Sequence, residues 1–279
     1  MSTLTLQAPA KLNLSLRVLG RRDDGFHEID TLMVRLPGLA DVLEFEEAPE
    51  FSFHCDDPLL PADENNLVVK AVRAYEAEIG TGCGFSITLR KKIPHGAGLG
   101  GGSSDAAATL CGLDRLHDGR VGKKRLGELA AAIGSDVPFF LGESAARCRG
   151  RGEIIEAVPS PAPCRVLLLK PVFGVATPDA YRRWQESREL PGVSYAAQTV
   201  GGMELCNDLE RPVFGKHRFL AELKQWLLER DECAAALLAG SGSTVFAILH
   251  EGVDGEALAK CARDELDPGL WHWCGATSA

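Results

Sequence analysis

No run of apolar residues in this sequence approaches the roughly 20 needed to span a bilayer, so a membrane-crossing helix is not expected. There is no Cys-x-x-Cys and no pair of histidines three or four residues apart. Zinc sites are commonly built on such spacings, so a zinc centre is not expected. The nine cysteines, scattered from Cys55 to Cys274, read instead as reduced thiols that mostly fill the core. Positive charge is short: 30 Lys and Arg against 39 Asp and Glu leave a net charge of −9. That argues against broad nucleic-acid binding, though not against one anionic small molecule held by a few local cations. The first residues carry no signal-peptide pattern, so the expected location is the cytoplasm. Internal repeats and low-complexity tails are also missing. What remains is a chain of 279 residues, 45% apolar and 25% charged, with the composition of a globular protein and the length for two domains.

One stretch organises the rest: Ile93-Pro94-His95-Gly96-Ala97-Gly98-Leu99-Gly100-Gly101-Gly102-Ser103-Ser104-Asp105, followed by alanines. Glycine lets the backbone turn where a Cβ would clash and brings main-chain N–H groups close to a ligand. Ser103 and Ser104 are favoured N-cap residues, and alanine favours helix. The stretch therefore predicts a loop feeding a helix over 103–117. The unpaired N–H groups and dipole at its start suit a phosphate. Two familiar phosphate loops are excluded. A Walker A loop ends in Lys-Ser/Thr, and no lysine stands there. Gly96, Gly98 and Gly101 fit G-x-G-x-x-G, but that fingerprint needs an acidic residue at the end of a second strand. Asp114 and Asp118 fall instead at the end of the helix itself. A purely structural glycine connector stays as the plain alternative, at a high cost in chain entropy.

Lys11-Leu12-Asn13-Leu14-Ser15-Leu16-Arg17 alternates. It predicts a strand with leucines on one face and Lys11, Asn13, Ser15 and Arg17 on the other. On pattern alone, that polar face is solvated. Ala8-Pro9-Ala10 is expected to interrupt the strand. Residues 20–25 predict a hairpin turn, with strands over 26–34 and 41–45 and a possible one over 51–54. A helix over 67–79 and a strand over 85–89 lead to the glycine loop. A second helix over 123–133 closes at Gly134. Pro138 is expected to hold Val137 extended, which puts Asp136 in a tight connection. The proline-rich stretch 159–163 predicts a boundary between domains at 1–158 and 164–279. Past it, a helix starts at Thr177, residues 191–202 are irregular, and one amphipathic helix covers 216–230. Gly240-Ser241-Gly242 then turns between two strands. Strands precede helices in each half, so the class is α+β.

Four stretches besides the glycine loop carry further weight: Ala8-Pro9-Ala10-Lys11-Leu12-Asn13-Leu14, Asp24-Gly25-Phe26-His27, Gly134-Ser135-Asp136-Val137-Pro138-Phe139-Phe140 and Gly240-Ser241-Gly242. Together with the loop, and in this order, they resemble the motifs of the GHMP kinases, ATP-dependent kinases of small molecules. Their variants point to the branch whose acceptor alcohol carries a cytidine diphosphate, in isoprenoid precursor synthesis. The resemblance implies a two-domain α+β fold with the active-site cleft between the domains. It implies ATP, with Mg2+, held along Pro94, His95, Gly96, Ala97, Gly98, Leu99, Gly100, Gly101, Gly102, Ser103 and Ser104. It implies Lys11 and Asp136 as catalytic residues, the carboxylate taking or orienting the hydroxyl proton and the ammonium stabilising developing charge. Asn13, Phe26, His27 and Tyr181 become the substrate-binding set, with Phe26, His27 and Tyr181 around a stacked cytosine.

No magnesium ligand is evident, and a monomer or homodimer is expected, with no nucleic-acid or membrane partner. Phe26 stands where the family often has tyrosine, His95 is unusual in the loop, and Ser243 replaces a more usual Gly-Pro. Taken alone, Asp136 is a turn or cap residue, His27 a turn histidine, Tyr181 a core-facing helix residue and Asn207-Asp208 a helix cap. The alternatives are a kinase of mevalonate, homoserine or a sugar, and a nucleotide-binding protein on the same fold.

Overall fold

The computed structural model describes residues 3–142 and 144–277. A long hairpin, β1 (Thr3–Arg21) and β2 (His27–Glu47), is the spine of the first sheet. The far edge of β2 is shared. Its first part pairs with β5 (Ala145–Gly150) and its last part with β4 (Phe85–Arg90). Beyond these lie β3 (Ser52–Cys55), parallel to β4, and β6 (Ile154–Ala157), antiparallel to β5. On the free edge of β1, β9 (Met203–Asn207) pairs parallel, followed by β8 (Gln198–Val200). The second sheet is antiparallel and has the order β10 (Cys233–Leu238), β11 (Val245–Leu249), β7 (Arg165–Lys170), β12 (Trp271–Ala276).

The alternation of β1 explains how the two sheets meet. Leu12 and Leu14 are buried in one cluster with Leu36 of β2 and with Leu168, Leu237 and Phe246 of the second sheet. The opposite side of the first sheet is covered by α1 (Leu67–Ile79), α2 (Gly101–Leu116), α3 (Lys123–Ile133) and α4 (Val137–Leu141). Phe45, Tyr75, Leu110, Leu113 and Phe139 fill the space between. Both sides of the hairpin are packed at Lys11 and Asn13, so there the polar face is not solvated as the pattern alone suggested. A register shift between Asn13 and Ser15 then turns Ser15 and Arg17 to the other side, Arg17 staying 43% exposed, and brings Leu16 onto the cavity with Lys11 and Asn13. The second sheet carries α6 (Glu210–Lys216), α7 (Arg218–Leu228) and α8 (Gly255–Glu265) over Leu169, Phe214, Leu223 and Leu258. A short helix, α5 (Thr177–Arg183), reaches back toward the hairpin turn.

The α+β class is as expected, and several boundaries differ. Pro9 does not interrupt β1. A register shift between Pro9 and Ala10 absorbs the missing N–H, and the strand continues. The expected strands over 26–34 and 41–45 are one strand, β2. Val137 is not extended: it opens α4 with Pro138 in the first turn, where a missing N–H costs nothing. The expected helix over 216–230 is α7, two residues shorter at each end, and a further helix, α6, precedes it and stops at Lys216. The irregular span 191–202 contains β8. We propose the stretch 159–163 as the domain boundary, with the qualification that β8 and β9 from beyond it complete the first sheet.

A buried ion pair holds the second unit together. Lys224 Nζ lies 2.7 Å from Glu210 Oε2, with both side chains almost wholly out of water. Glu210 Oε1 accepts the N–H of Leu238, and Lys224 also donates to Ser194 O. Removing one partner strands the other charge. Lys224→Met is therefore expected to destabilise the fold by about 3 kcal/mol, read as a lower denaturation midpoint. An unchanged midpoint would contradict this.

Candidate active site

Strand geometry puts Lys11 and Asn13 side by side on the face of β1 away from Leu12 and Leu14. Lys11 is 4% exposed and Asn13 2%. The ammonium donates to Asn13 Oδ1 at 2.6 Å, and Asn13 Nδ2 donates to Thr31 Oγ1 at 2.8 Å. Thr31 in turn donates to Ser15 O, so the row is fixed by hydrogen bonds across the hairpin. Lys11 Nζ also lies 3.4 Å from Asp136 Oδ2. Asp136 is the N-cap of α4, with its side chain 31% exposed. The other end of that helix is tied down by Arg35 of β2, whose guanidinium donates to Phe140 O at 2.7 Å and Gly142 O at 2.8 Å. Lysine and carboxylate are thus set against each other by the two strands of one hairpin, directly for Lys11 and through α4 for Asp136.

The glycine loop closes over this pair. Lys11 N–H donates to Leu99 O at 2.9 Å, which ties β1 to the loop. Gly98 has φ +76, and a Cβ there would sit 2.0 Å from Ala239 O. A Cβ on Gly100, φ +73, would sit 2.9 Å from Lys11 Cγ. Only glycine allows the loop, Lys11 and the turn after β10 to approach this closely. That turn is bonded to the loop: Ser243 N–H donates to Gly96 O and Thr244 N–H to Ala97 O. Helix α2 starts at Gly101, two residues before the expected start. Gly100 is its N-cap, and no side chain caps it. Ser103 and Ser104 are therefore first-turn residues, not caps, and the helix N-terminus is left without a side-chain acceptor.

The carboxylate that follows the serines is taken up by Lys91 at the base of the loop. Asp105 Oδ2 lies 2.8 Å from Lys91 Nζ, and Asp41 Oδ2 lies 2.5 Å from the same nitrogen. Asp41 is further satisfied by the N–H groups of Lys92 and Ile93. Asp105 is the surplus acid. Burial, above all, raises its carboxyl from the ordinary 3.8 to about 7, Lys91 opposing the rise.

On the other side of Asp136 lies an aromatic cluster. The turn after β1 is held by Asp24, which accepts from Phe26 N–H. The Phe26 ring is half exposed and lies under the Arg151 guanidinium, 4.7 Å from ring centre to Cζ. His27 faces Tyr181 of α5 at 5.3 Å between ring centres and Trp184 edge-on at 6.0 Å. Burial, with Arg21 nearby, lowers the pKa of His27, so its imidazole is neutral at neutral pH. Burial and the charge of Asp136 raise the Tyr181 hydroxyl well above its ordinary value. A cavity of about 890 Å³ runs past Phe26, His27, Tyr181, Asp136, Lys11, Asn13 and every loop residue from Pro94 to Ser103. Ser104 alone of the loop residues does not line it. Its hydroxyl is buried with no hydrogen-bond partner.

The sequence-predicted residues are thus brought together, and others join them that sequence reasoning missed. Arg35, Arg151 and Trp184 carry no local signal, since each acts across long separations. Asn207, in the pair expected as a helix cap, does accept from Leu209 N–H ahead of α6, and it also reaches the second sheet. Its amide reaches Leu238 O at 2.8 Å and Gly240 O at 2.7 Å. Among the described residues, no cluster of His, Cys, Asp or Glu could hold a metal, and no helix is long and apolar enough to cross a membrane.

A glycine cradle without Walker lysine, set against a buried lysine paired with a part-exposed aspartate on this α+β frame, defines a small-molecule kinase of the GHMP class. The GHMP kinases N terminal domain matches residues 66–143 and the GHMP kinases C terminal domain matches residues 200–267. The 4-diphosphocytidyl-2-C-methyl-D-erythritol kinase of Methylacidiphilum infernorum is 39% identical over 275 residues, covering 95% of this chain and 93% of its own. The kinase of the same name from Bacillus cereus is 40% identical, covering 88% of each chain. A crystal structure of 4-(cytidine 5'-diphospho)-2C-methyl-D-erythritol kinase superposes with a TM-score of 0.78 at 34% identity, covering 99% of this chain and 100% of that one. Homoserine kinase from Cytophaga hutchinsonii shares the fold at a TM-score of 0.72 and 17% identity, covering 100% and 95%. The chain belongs to the 4-diphosphocytidyl-2-C-methyl-D-erythritol kinase family of GHMP kinases.

Two carboxylates on one ammonium give a pH prediction. A folded-state pKa of about 7 against an ordinary 3.8 means that Asp105 favours the fold when protonated. Its contribution is fully present below 3.8 and is lost as pH rises through about 7. Asp105→Asn keeps a neutral group there, and Asp41 still pairs Lys91. The melting temperature of the variant relative to the parent should rise between about pH 4 and about pH 8. A difference that does not change with pH would contradict this.

Proposed function

We propose that this chain transfers the γ-phosphoryl group of ATP to the 2-hydroxyl of 4-diphosphocytidyl-2-C-methyl-D-erythritol, giving the 2-phosphate and ADP for isoprenoid precursor synthesis in the cytoplasm. The observation that carries the reading is the placement of Lys11 and Asp136, 3.4 Å apart, between a glycine cradle and an aromatic cluster on one cavity. The cradle suits the phosphates of ATP, through main-chain N–H groups and the start of α2. The aromatic cluster suits a cytosine, whose face stacks on rings and whose edge meets the neutral imidazole of His27.

The step itself needs positioning and charge stabilisation more than covalent help. The acceptor hydroxyl oxygen attacks the γ-phosphorus. An O–P bond forms there as the bond from that phosphorus to the β–γ bridging oxygen breaks, and ADP leaves. The hydroxyl proton passes to the Asp136 carboxylate, which is exposed enough to return it to water. Lys11 stands beside the same oxygen and offsets its developing charge, while Asn13 fixes the ammonium through its side-chain oxygen. Magnesium, when bound, neutralises phosphate charge. The donor set fits an ion carried mainly by ATP phosphates and water, since Ser103 lines the cavity while the unpartnered Ser104 hydroxyl is buried off it.

Asp136→Asn and Lys11→Ala are each expected to lower kcat by about 10² to 10⁴. Circular dichroism should show both still folded. Parent-like turnover in either variant would remove that residue from the chemistry. Tyr181→Ala is expected to raise KM for the cytidyl substrate at least about tenfold with KM for ATP unchanged, since one aromatic face contributes about 1 to 3 kcal/mol to a stacked base. A parallel rise in both KM values would contradict the separation into two arms.

A further inference from the structure

Asn207 ends β9 and is 7% exposed. Its side chain is spent on main-chain groups. Nδ2 donates to Leu238 O and Gly240 O, and Oδ1 accepts from Leu209 N at 2.9 Å. The strand that carries it pairs with β1, Asn207 opposite Leu16. The two carbonyls that it holds belong to the end of β10 and the turn that follows, on the second sheet. One amide therefore joins the sheet of Lys11 to the turn that faces Lys11.

That turn could hardly be closer to the chemistry. Gly240 has φ +55, and a Cβ there would lie 3.2 Å from Asn13 Oδ1, 3.3 Å from Lys11 Nζ and 3.1 Å from Gly98 O. Gly240 and Ser241 both line the cavity. The peptide between them is trans, so its C=O and N–H point in opposite directions. The C=O is fixed on Asn207. The Ser241 N–H therefore points away from Asn207, and among the described residues no protein acceptor takes it. The Ser241 side chain is engaged elsewhere, sharing a hydrogen bond of 2.7 Å with Thr177 Oγ1.

We propose that Asn207 is a positioning residue for phosphoryl transfer. It fixes the Gly240–Ser241 peptide so that the Ser241 N–H donates to an equatorial oxygen of the phosphoryl group passing from ATP to the acceptor. The inference rests on the phosphoryl-transfer reading above and adds no bond-making step to it. Negative charge on those oxygens is what a pre-set N–H stabilises, and a donor held in advance needs no reorganisation when the charge arrives.

The test compares Asn207→Asp with the parent. The introduced carboxylate has the same shape, donates nothing and repels both carbonyls. The expected result is a kcat lowered about 10²-fold, with KM for ATP within about twofold and circular dichroism unchanged. The deficit should shrink as pH falls, because the introduced carboxyl, once neutral, donates one hydrogen to Gly240 O. A folded variant with parent-like kcat, or a deficit that ignores pH, overturns the proposal. The parent supplies a second measurement that does not depend on the variant folding. With 15N-labelled protein, the Ser241 amide proton should shift downfield on adding ADP with magnesium and aluminium fluoride, and not on adding ADP with magnesium. An unmoved Ser241 amide overturns the proposal even if the parent releases ADP with the cytidyl substrate. A parent that releases no ADP with that substrate overturns the functional reading first and this inference with it.

Discussion

The structure depends on keeping one ammonium charged and aimed in a place nearly without water. Lys11 is walled in except where it faces the cavity. Leucines of its own strand pack on the second sheet behind it, the glycine loop covers it, and the turn at Gly240 stands against its tip. An ammonium so placed needs oxygens in place of the water that it gives up. Asn13 and Asp136 supply the oxygens that keep it, and Thr31 fixes Asn13 in turn. The same contacts prepare the site. In the phosphoryl transfer proposed above, a phosphoryl group entering the cradle meets a cation already oriented, and an acceptor hydroxyl meets a carboxylate already held beside that cation.

Close approach is the constraint that the rest of the chain serves. Three main-chain segments from different parts of the sequence meet at Gly98, Gly100 and Gly240, where a side chain on any of them would strike another. The two sheets bring those segments together, and hydrogen bonds from Ser243 and Thr244 to the loop fasten them. Helix α2 then starts in the middle of this junction with its first turn uncapped by any side chain. The acid that follows could spoil an anion site there. Lys91, which stands against the start of the helix at Gly101, pairs with this acid and is shared with Asp41.

Much of this was legible in the sequence because it is local. Period-two alternation marked β1, and glycines followed by serines and alanines marked the loop and α2. Motif order brought Lys11, Asp136, Phe26, His27 and Tyr181 into one expectation, and the cavity passes all five. What was not legible depends on tertiary packing. Alternation could not say that Lys11 and Asn13 would be covered while Arg17 stays exposed, because the covering comes from α2, α4 and the turn after β10 and the strand shifts register after Asn13. Pro9 looked like an interruption, since a bulge is decided by the pairing partner rather than by the residue. Ser103 and Ser104 looked like caps, but a left-handed Gly100 starts the helix earlier. Arg35, Trp184 and Asn207 act on groups far off in sequence, and only the assembled fold gives them partners.

The most direct test of the account is ADP release by the purified protein with ATP and magnesium, with 4-diphosphocytidyl-2-C-methyl-D-erythritol set beside mevalonate, homoserine and galactose as acceptors. The account predicts turnover with the cytidyl substrate and none above background with the other three. Turnover with one of those alcohols and not with the cytidyl substrate would contradict it, because the aromatic arm of the cavity would then have no base to hold.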